Sequence, residues 1–393
     1  MLTEFEARTR LLARIDPLNE EPVPLGKSLA RFLSRDVRST IAIPSFDNSQ
    51  VDGYAVHSSN ATAGTRLHVV GEHAAGVGQT LAVGAGAALR IFTGAPMPLG
   101  ADAVVMQEDV TRDGDHIVLN ETTTPGEHVR RTGSDLCRGQ FIARRGERIT
   151  PALIGLFASQ GLVEVGVHRQ PRIGILSTGD ELIAPGTALL PGQIYNSNGP
   201  MLAAMLAQLG FADVTVRHCA DTLNATTDAL NHLMFSSDAV IISGGVSVGD
   251  HDHVKPALTA LGLVPDFWRV KVKPGKPFLF AWREGSLPAS IFGLPGNPVS
   301  AFVTFHLFVR PALMKMMGGN EELPTIIARL TTTVSNDGDR PHYVRGQFMN
   351  GDFTPTGLQQ SHALFGLSRC NALLRVAEGE SISSGETRAV TLL

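Results

Sequence analysis

Ala239-Val240-Ile241-Ile242 reads as a short apolar strand, Ser243-Gly244-Gly245-Val246-Ser247-Val248-Gly249-Asp250-His251-Asp252 as a glycine-rich loop, and Val254 to Leu261 as a helix. The same alternation continues on both sides. Upstream lie a strand at Ile173 to Leu176, a helix at Pro200 to Leu209 stopped by Gly210, a strand at Val214 to Val216 and a helix at Leu223 to Phe235. Downstream come strands near Phe278 to Ala281 and Ser290 to Leu294, then a long helix from Val299 to Met317. Alternating strands and helices predict a parallel sheet with helices on its faces.

The texture differs outside this unit. Residues 1–35 carry apolar positions at Phe5, Leu11, Leu12 and Ile15, then at Leu25, Leu29, Phe32 and Leu33, a rhythm that predicts two helices interrupted by Pro22 and Pro24. From Ile41 to Phe141 short β-type runs predict an all-β module, and 149–158 predicts a helix with Thr150 as N-cap and Pro151 at its first position. After Gly318-Gly319 the runs Thr325 to Thr333, Arg345 to Met349, Asn371 to Val376 and Arg388 to Leu392 predict a small β-barrel or sandwich. A chain of 393 residues has room for two to four such domains.

Composition narrows the function class. A net charge of -4, from Lys+Arg 33 against Asp+Glu 37, leaves no electrostatic footprint for bulk nucleic-acid binding, so any anion site is local. The three cysteines, Cys137, Cys219 and Cys370, form no CxxC pair and signal neither zinc nor a disulfide framework. The acidic start Met1-Leu2-Thr3-Glu4-Phe5-Glu6 lacks signal-peptide character, and no apolar run approaches the ~20 residues of a membrane span. A soluble, cytoplasmic protein without membrane or nucleic-acid partners is expected.

Ligands of open parallel sheets bind outside the carboxyl ends of the strands. Four loops there have unusual content: Ser177-Thr178-Gly179-Asp180-Glu181, the Ser243 to Asp252 loop, Lys273-Pro274-Gly275-Lys276-Pro277, and Leu294-Pro295-Gly296-Asn297-Pro298. Proline presets φ and glycine permits φ > 0, so stiff loops present cations and free N-H groups in one place. Carboxylates beside such loops repel phosphate unless a cation intervenes, and Mg²⁺ takes one or two carboxylates with phosphate oxygens and water. Glu181, Asp221 and Asp252 are therefore candidate metal or ligand-positioning groups, with Lys273 and Lys276 neutralising an anion. Taken singly, Asp180 reads equally well as a turn residue, and each lysine as surface. His251 and His253 have no third His or Cys nearby and read as surface or packing residues. No catalytic triad, Walker A loop or GxGxxG after a strand is present.

Several further stretches read as turns on spacing alone: Val51-Asp52-Gly53-Tyr54-Ala55, Thr93-Gly94-Ala95-Pro96 and Gly133-Ser134-Asp135. Together with Ser177 to Leu182, Asn196-Ser197-Asn198, Ser243 to Gly249, Lys273 to Pro277 and Leu294 to Ser300, they occur in an order that closely resembles the MoeA family. These are the molybdopterin molybdenumtransferases, a fold also seen as the C-terminal domain of gephyrin. The resemblance runs from about residue 5 to 315, and the last 75 or so residues match in length and strand texture.

The resemblance implies an elongated multidomain α/β plus β chain: a discontinuous linking and dimerisation domain at 1–44 and 140–169, an inserted β-rich domain at 45–139, a central MogA-like parallel α/β domain at 170–318, and a C-terminal β-barrel at 319–393. It implies a homodimer with an active cleft shared between subunits, and an adenylyltransferase of the same pathway as partner. The implied reaction is Mg²⁺-dependent transfer of molybdate to adenylylated molybdopterin with release of AMP. Catalytic contributions are then expected from Asp52, Thr93, Glu181, Asp221, Asp252, Lys273 and Lys276, and metal contacts from Glu181, Asp221 and Asp252. Substrate contacts are expected from Asp135, Ser177, Thr178, Gly179, Asp180, Gly244, Gly245, Ser247, Gly249, Arg269, Pro274, Gly275, Pro295, Gly296, Asn297 and Pro298. Many bacterial relatives have lysine where this chain has Arg269, which exchanges a point charge for a planar fork. The adenylyltransferase step, carried out by smaller relatives with the α/β domain alone, and a receptor-anchoring scaffold role are the rival readings.

Overall fold

The computed structural model describes residues 1–76, 81–246, 252–283, 289–320 and 322–393. The chain divides into two compact units, one of Met1–Arg35, Arg145–Pro151 and Glu164–Leu393, the other of Asp36–Arg144 and Ala152–Val163.

The first unit is built on a five-stranded sheet in the order Val214–Cys219, Ile173–Thr178, Ala239–Ser243, Ala289–Leu294, Leu279–Arg283. Both faces are covered, as the apolar strand sequences require. Ile175 and Ile241 face a core with Leu202 and Leu206 of the helix Asn198–Gln208, while Leu176, Val240 and Ile242 face one with Leu230 and Leu233 of the helix Leu223–Ser236. The helix Val254–Ala260 adds Val254 and Leu258 to the second face.

The expected parallel sheet is corrected at one edge. The first four strands are mutually parallel, but Leu279–Arg283 runs antiparallel to Ala289–Leu294. Only five residues separate these two strands in sequence, too few for the dozen or more that a parallel crossover needs.

Two helix expectations are also corrected. The long helix from Val299 is a succession of Pro298–Thr304, a π-helical stretch Phe305–Val309 and Arg310–Met316. Pro311 lacks an N-H and its ring crowds the carbonyl four residues back, so the preceding turn widens rather than continuing as α-helix. In residues 1–35 only Glu4–Leu12 is α-helical, started by a Thr3/Glu6 capping box. The expected break at Pro22 and Pro24 lies in a strand, Glu20–Pro24, paired with Glu164–His168, and where the second helix is expected, from Leu25 to Leu33, there is a single 3₁₀ turn at Leu25–Lys27 and then isolated bridges from Phe32 to Arg148 and from Leu33 to Val167. Pro22 and Pro24 cannot donate inside a helix but are tolerated in a two-stranded ladder.

The C-terminal segment closes into a five-stranded barrel, Thr325–Leu330, Asp352–Pro355, His342–Met349, Ala372–Val376 and Thr387–Leu392, resolving the choice between barrel and sandwich. The second unit holds a six-stranded sheet in the order Ala103–Met106, Gly53–Val56, Ala87–Ile91, Arg66–His73, His116–Leu119, Val110–Asp113. Among the described residues, no helix is long and apolar enough to cross a membrane.

Asp238 ties the entrance of the sheet together. Its buried carboxylate accepts from the Arg169 guanidinium at 2.7 and 2.8 Å and from the Arg172 backbone N-H at 2.8 Å. Burial alone would raise its pKa, but the bonds from Arg169 and Arg172 prevail and bring it down to about 2. A carboxylate whose pKa is depressed on folding adds stability above its ordinary pKa and loses it as pH falls toward the folded value. Asp238→Asn is therefore expected to cost about 2 kcal/mol at pH 7, at ~1.4 kcal/mol per pKa unit. The gap from the parent chain should shrink between about pH 5 and pH 2 in urea melts. A gap unchanged at pH 3 would contradict this account.

Candidate functional site

Four parallel strands end at one edge of the first unit's sheet, and their loops interlock there. Ser177 and Thr178 are buried at the end of Ile173–Thr178. The Thr178 hydroxyl donates to Asp221 Oδ1 at 2.6 Å, and the Asp221 N-H donates to Asp180 Oδ1 at 3.0 Å. The Glu181 carboxylate folds back over Gly179: a Cβ there would lie 2.6 Å from Glu181 Oε2. Asp180 and Asp221 thus join two neighbouring loops, with Asp180 and Glu181 exposed and Asp221 half-buried.

The neighbouring loop is packed against this turn. Gly244 has φ +95° and its position for a Cβ is only 2.8 Å from the Thr178 carbonyl oxygen, so only glycine fits without displacement. Its N-H donates to the Leu294 carbonyl at 3.2 Å, and Gly245 follows against Thr178 and Val254. Asn198 reaches across with its side-chain N-H₂, donating to Ser243 Oγ at 2.8 Å and to the Gly296 carbonyl at 2.7 Å. The turn Pro295, Gly296, Asn297 and Pro298 is thereby fixed beside Gly244, with Pro298 opening the following helix. Ser177 Oγ and Asn198 Oδ1 are buried here without hydrogen-bond partners. Ser247 and Gly249 lie outside the described residues.

The lysine loop reaches the same edge by strand reversal. Leu279 pairs with Gly293, so the start of the antiparallel strand lies where the neighbouring parallel strand ends. Behind it, Val270–Lys271 pairs in parallel with Leu2–Thr3. The barrel grips the loop from the other side: the Lys273 N-H donates to the Pro341 carbonyl at 2.9 Å, and the Tyr343 N-H donates to the Lys273 carbonyl at 2.7 Å. Pro274 and Gly275 are buried, Lys273 is half-buried and Lys276 is exposed. Gly275 has φ +118°, and a Cβ there would stand 2.4 Å from Thr304 Cγ2. Burial, reinforced by Lys273, Arg345 and Arg340, lowers the pKa of His342 to about 4, so its ring adds no charge beside the lysine.

Asp252 precedes the helix Val254–Ala260 and acts on Lys255 together with Arg269. Lys255 Nζ stands 3.7 Å from the Trp268 ring centroid, and the Arg269 guanidinium stands 5.8 Å from it. Burial, then the nearby Arg269, lowers the Lys255 pKa, while Asp252 opposes them. Arg269, Trp268 and Lys276 share an open cavity of about 430 Å³ with Arg10 and Phe267.

The second unit assembles its three motif stretches by itself. Asn48–Ser49 pairs with Val129–Arg130, while Ser49 exchanges backbone bonds with Gly94 and Ala95. The Thr93 backbone N-H and hydroxyl donate to Asp52 Oδ1 at 2.8 and 2.7 Å, and these bonds, led by the backbone one, lower the Asp52 pKa. Asp135 is exposed on the adjoining turn, its N-H bonded to the Ile43 carbonyl.

The structure thus joins Asp180 with Asp221, the Gly244 loop with Pro295 to Pro298, Asp252 and Arg269 each with Lys255, and Asp52 with Thr93. It does not gather Glu181, Asp221 and Asp252 into a ready cage, since among the described residues no group of three His, Cys, Asp or Glu is placed to hold a metal. Sequence reasoning assigned no site role to Lys255, Asn198, Arg90 or Arg345. Arg90 sits over Tyr54 and Phe92 at 5.0 and 5.1 Å and helps lower the Asp52 pKa. Arg345 is fully buried and donates to the carbonyls of Leu358, Gln360 and Ala363, ordering the segment whose Ser361 carbonyl accepts from the Val299 N-H. Of the four, Asn198 had a sequence signal, as the last residue of the Asn196-Ser197-Asn198 stretch.

Family models match in succession along the chain: "MoeA N-terminal region (domain I and II)" over residues 2–161, "Probable molybdopterin binding domain" over 174–315 and "MoeA C-terminal region (domain IV)" over 327–393. A protein of Haemophilus influenzae named molybdopterin molybdenumtransferase is 37% identical over 398 residues, covering 98% of this chain and 97% of that one. One of the same name from Nostoc sp. is 36% identical over 391 residues, covering 96% and 89%. The crystal structure of the molybdopterin biosynthesis MoeA protein from Pyrococcus horikoshii OT3 superposes with a TM-score of 0.86 at 29% identity, with full coverage of both chains. With its fold, its ordered motifs and its near full-length relatives in agreement, the chain belongs to the MoeA family.

Proposed function

We propose that this chain is a molybdopterin molybdenumtransferase of molybdenum cofactor biosynthesis, transferring molybdate to adenylylated molybdopterin with release of AMP. The observation that carries the reading is the convergence of the Thr178–Asp221 turn, the Gly244 loop, the Pro295–Pro298 turn and the lysine loop at one sheet edge. The names of the full-length relatives support the transferase chemistry. In this reading Lys273, Lys276 and Arg269 hold the oxyanions, while Gly244, whose own N-H is taken by Leu294, leaves room for a phosphate to approach the N-H groups of Gly245 and Gly296.

The oxygen donors suit Mg²⁺: Asp180 accepts from the Asp221 N-H across two neighbouring loops, and the Glu181 carboxylate folds over Gly179 on the same edge. Glu181, Asp221 and Asp252 would hold the ion, the last completing the set once substrate is bound, and the ion would polarise the phosphoanhydride. The protein's own part is electrostatic: fixed lysines and arginine stabilise charge as AMP departs, and no side-chain nucleophile is invoked. The reading includes a cytoplasmic homodimer, with the Asp52–Thr93 pair and Asp135 contributing to the partner's cleft, and an adenylyltransferase that hands over its product. It also takes 1–44 with 140–169 as the linking and dimerisation domain.

Purified protein given adenylylated molybdopterin, molybdate and Mg²⁺ should release AMP, whereas ATP with molybdopterin should give no turnover. Turnover with the second pair alone would instead assign the adenylyltransferase step. Glu181→Ala and Asp252→Ala should stay folded by circular dichroism yet lower AMP release by about a hundredfold or more; normal turnover in both would remove the carboxylates from the site.

Gly275→Ala probes the lysine loop differently. The added Cβ meets Thr304 on a backbone with φ +118°, a strain of about 1–3 kcal/mol that moves the loop. AMP release should fall about tenfold or more while the far-ultraviolet spectrum holds, and an unchanged rate would show that the loop path is immaterial.

A further inference from the structure

The opposite edge of the same sheet carries a separate cavity of about 530 Å³. Its walls come from the starts of the parallel strands, with Arg172 just before Ile173 and Asp238 just before Ala239, and from Trp282 near the end of the antiparallel strand. The volume falls in the range of about 300–1,000 Å³ typical of small-molecule sites.

Its charge is distinctive. Four arginines, at 14, 169, 172 and 283, face two aspartates, at 16 and 238. Arg169 takes both oxygens of Asp238, whereas the Arg172 guanidinium touches that carboxylate only at 3.4 and 3.5 Å and its side chain is 48% exposed. Arg14 stands 4.8 Å from the Trp282 ring centroid and has no ion pair among the described residues. Two planar donor forks are thus open to an anion beside an aromatic wall, and Phe235 adds a ring that is 71% exposed. The four-to-two excess of cations leaves the lining at net +2, a match for a dianion.

We propose that this cavity binds a small phosphate monoester carrying a planar ring, of the nucleoside 5′-monophosphate class. The phosphate lies between Arg14 and Arg172, and the ring packs with Trp282 and Phe235. Arg283 is committed elsewhere, donating to the Met234 carbonyl at 3.2 Å, and shapes the wall.

The chain has two tryptophans, so a Trp268→Phe background leaves Trp282 as the reporter. Titration of that full-length protein with AMP should give a saturable fluorescence change, with adenosine and inorganic phosphate each binding at least about tenfold more weakly. Arg14→Gln, which removes only a ring contact, and Arg14→Gln with Arg172→Gln should weaken AMP about tenfold or more, with melting curves reporting that each variant is folded. Lys273→Ala with Lys276→Ala should leave the titration unchanged. The proposal is overturned by no AMP response, by a response that survives Arg14→Gln, by phosphate binding as tightly as AMP, or by loss of the signal in the lysine variant, which would place the ligand at the other edge.

Discussion

The pairing of Leu279 with Gly293 sets the direction on which the first unit's chemistry depends. Had the last strand joined in parallel, its preceding loop, with Lys273 and Lys276, would lie at the strand starts beside Asp238, away from Thr178 and Gly296. Reversal instead brings cations to the glycine-lined edge while Phe278, Phe280 and Phe292 remain in the core. The reversal is secured by packing: Phe280 contacts Phe292 at 5.6 Å and Phe278 stacks on Phe308 at 4.5 Å. Placement of charge therefore follows from the short connection between the two strands, and aromatic packing holds the result.

Much of the architecture was legible because buried parallel strands read as short apolar runs between helices with clear caps and stops. Thr222 caps Leu223–Ser236, and Gly210 sits at φ +87° after Asn198–Gln208. Strand direction was not legible, since an apolar run carries no mark of parallel or antiparallel pairing. Leu25, Leu29, Phe32 and Leu33 imitated a helix, yet Leu29 is 55% exposed while Phe32 and Leu33 are buried by ladder partners far along the chain. Tertiary pairing overrode the periodicity there.

The candidate site was legible as loops and only partly as side chains. Glycines and prolines advertise backbone that must take an unusual path, and Gly244 and Gly275 do so. Lys255 and Arg345 look like ordinary surface residues in sequence, because Arg and Lys usually are. What makes them otherwise is the Trp268 ring over one and a ring of main-chain carbonyls around the other, neither of which leaves a local trace. The reverse holds for Asp52, whose Asp-Gly context suggests a hairpin turn; its bonds to Thr93 pre-ionise a carboxylate on an exposed surface.

The backbone bonds joining Lys273 to Pro341 and Tyr343 have an evolutionary consequence. Such ladder contacts ignore side-chain identity, so the barrel's sequence is free to drift while its grip on the loop persists. The two segments nevertheless become inseparable as heritable modules: a gene rearrangement that transplanted the α/β sheet without the barrel would carry the lysines but not the partners that hold their main chain.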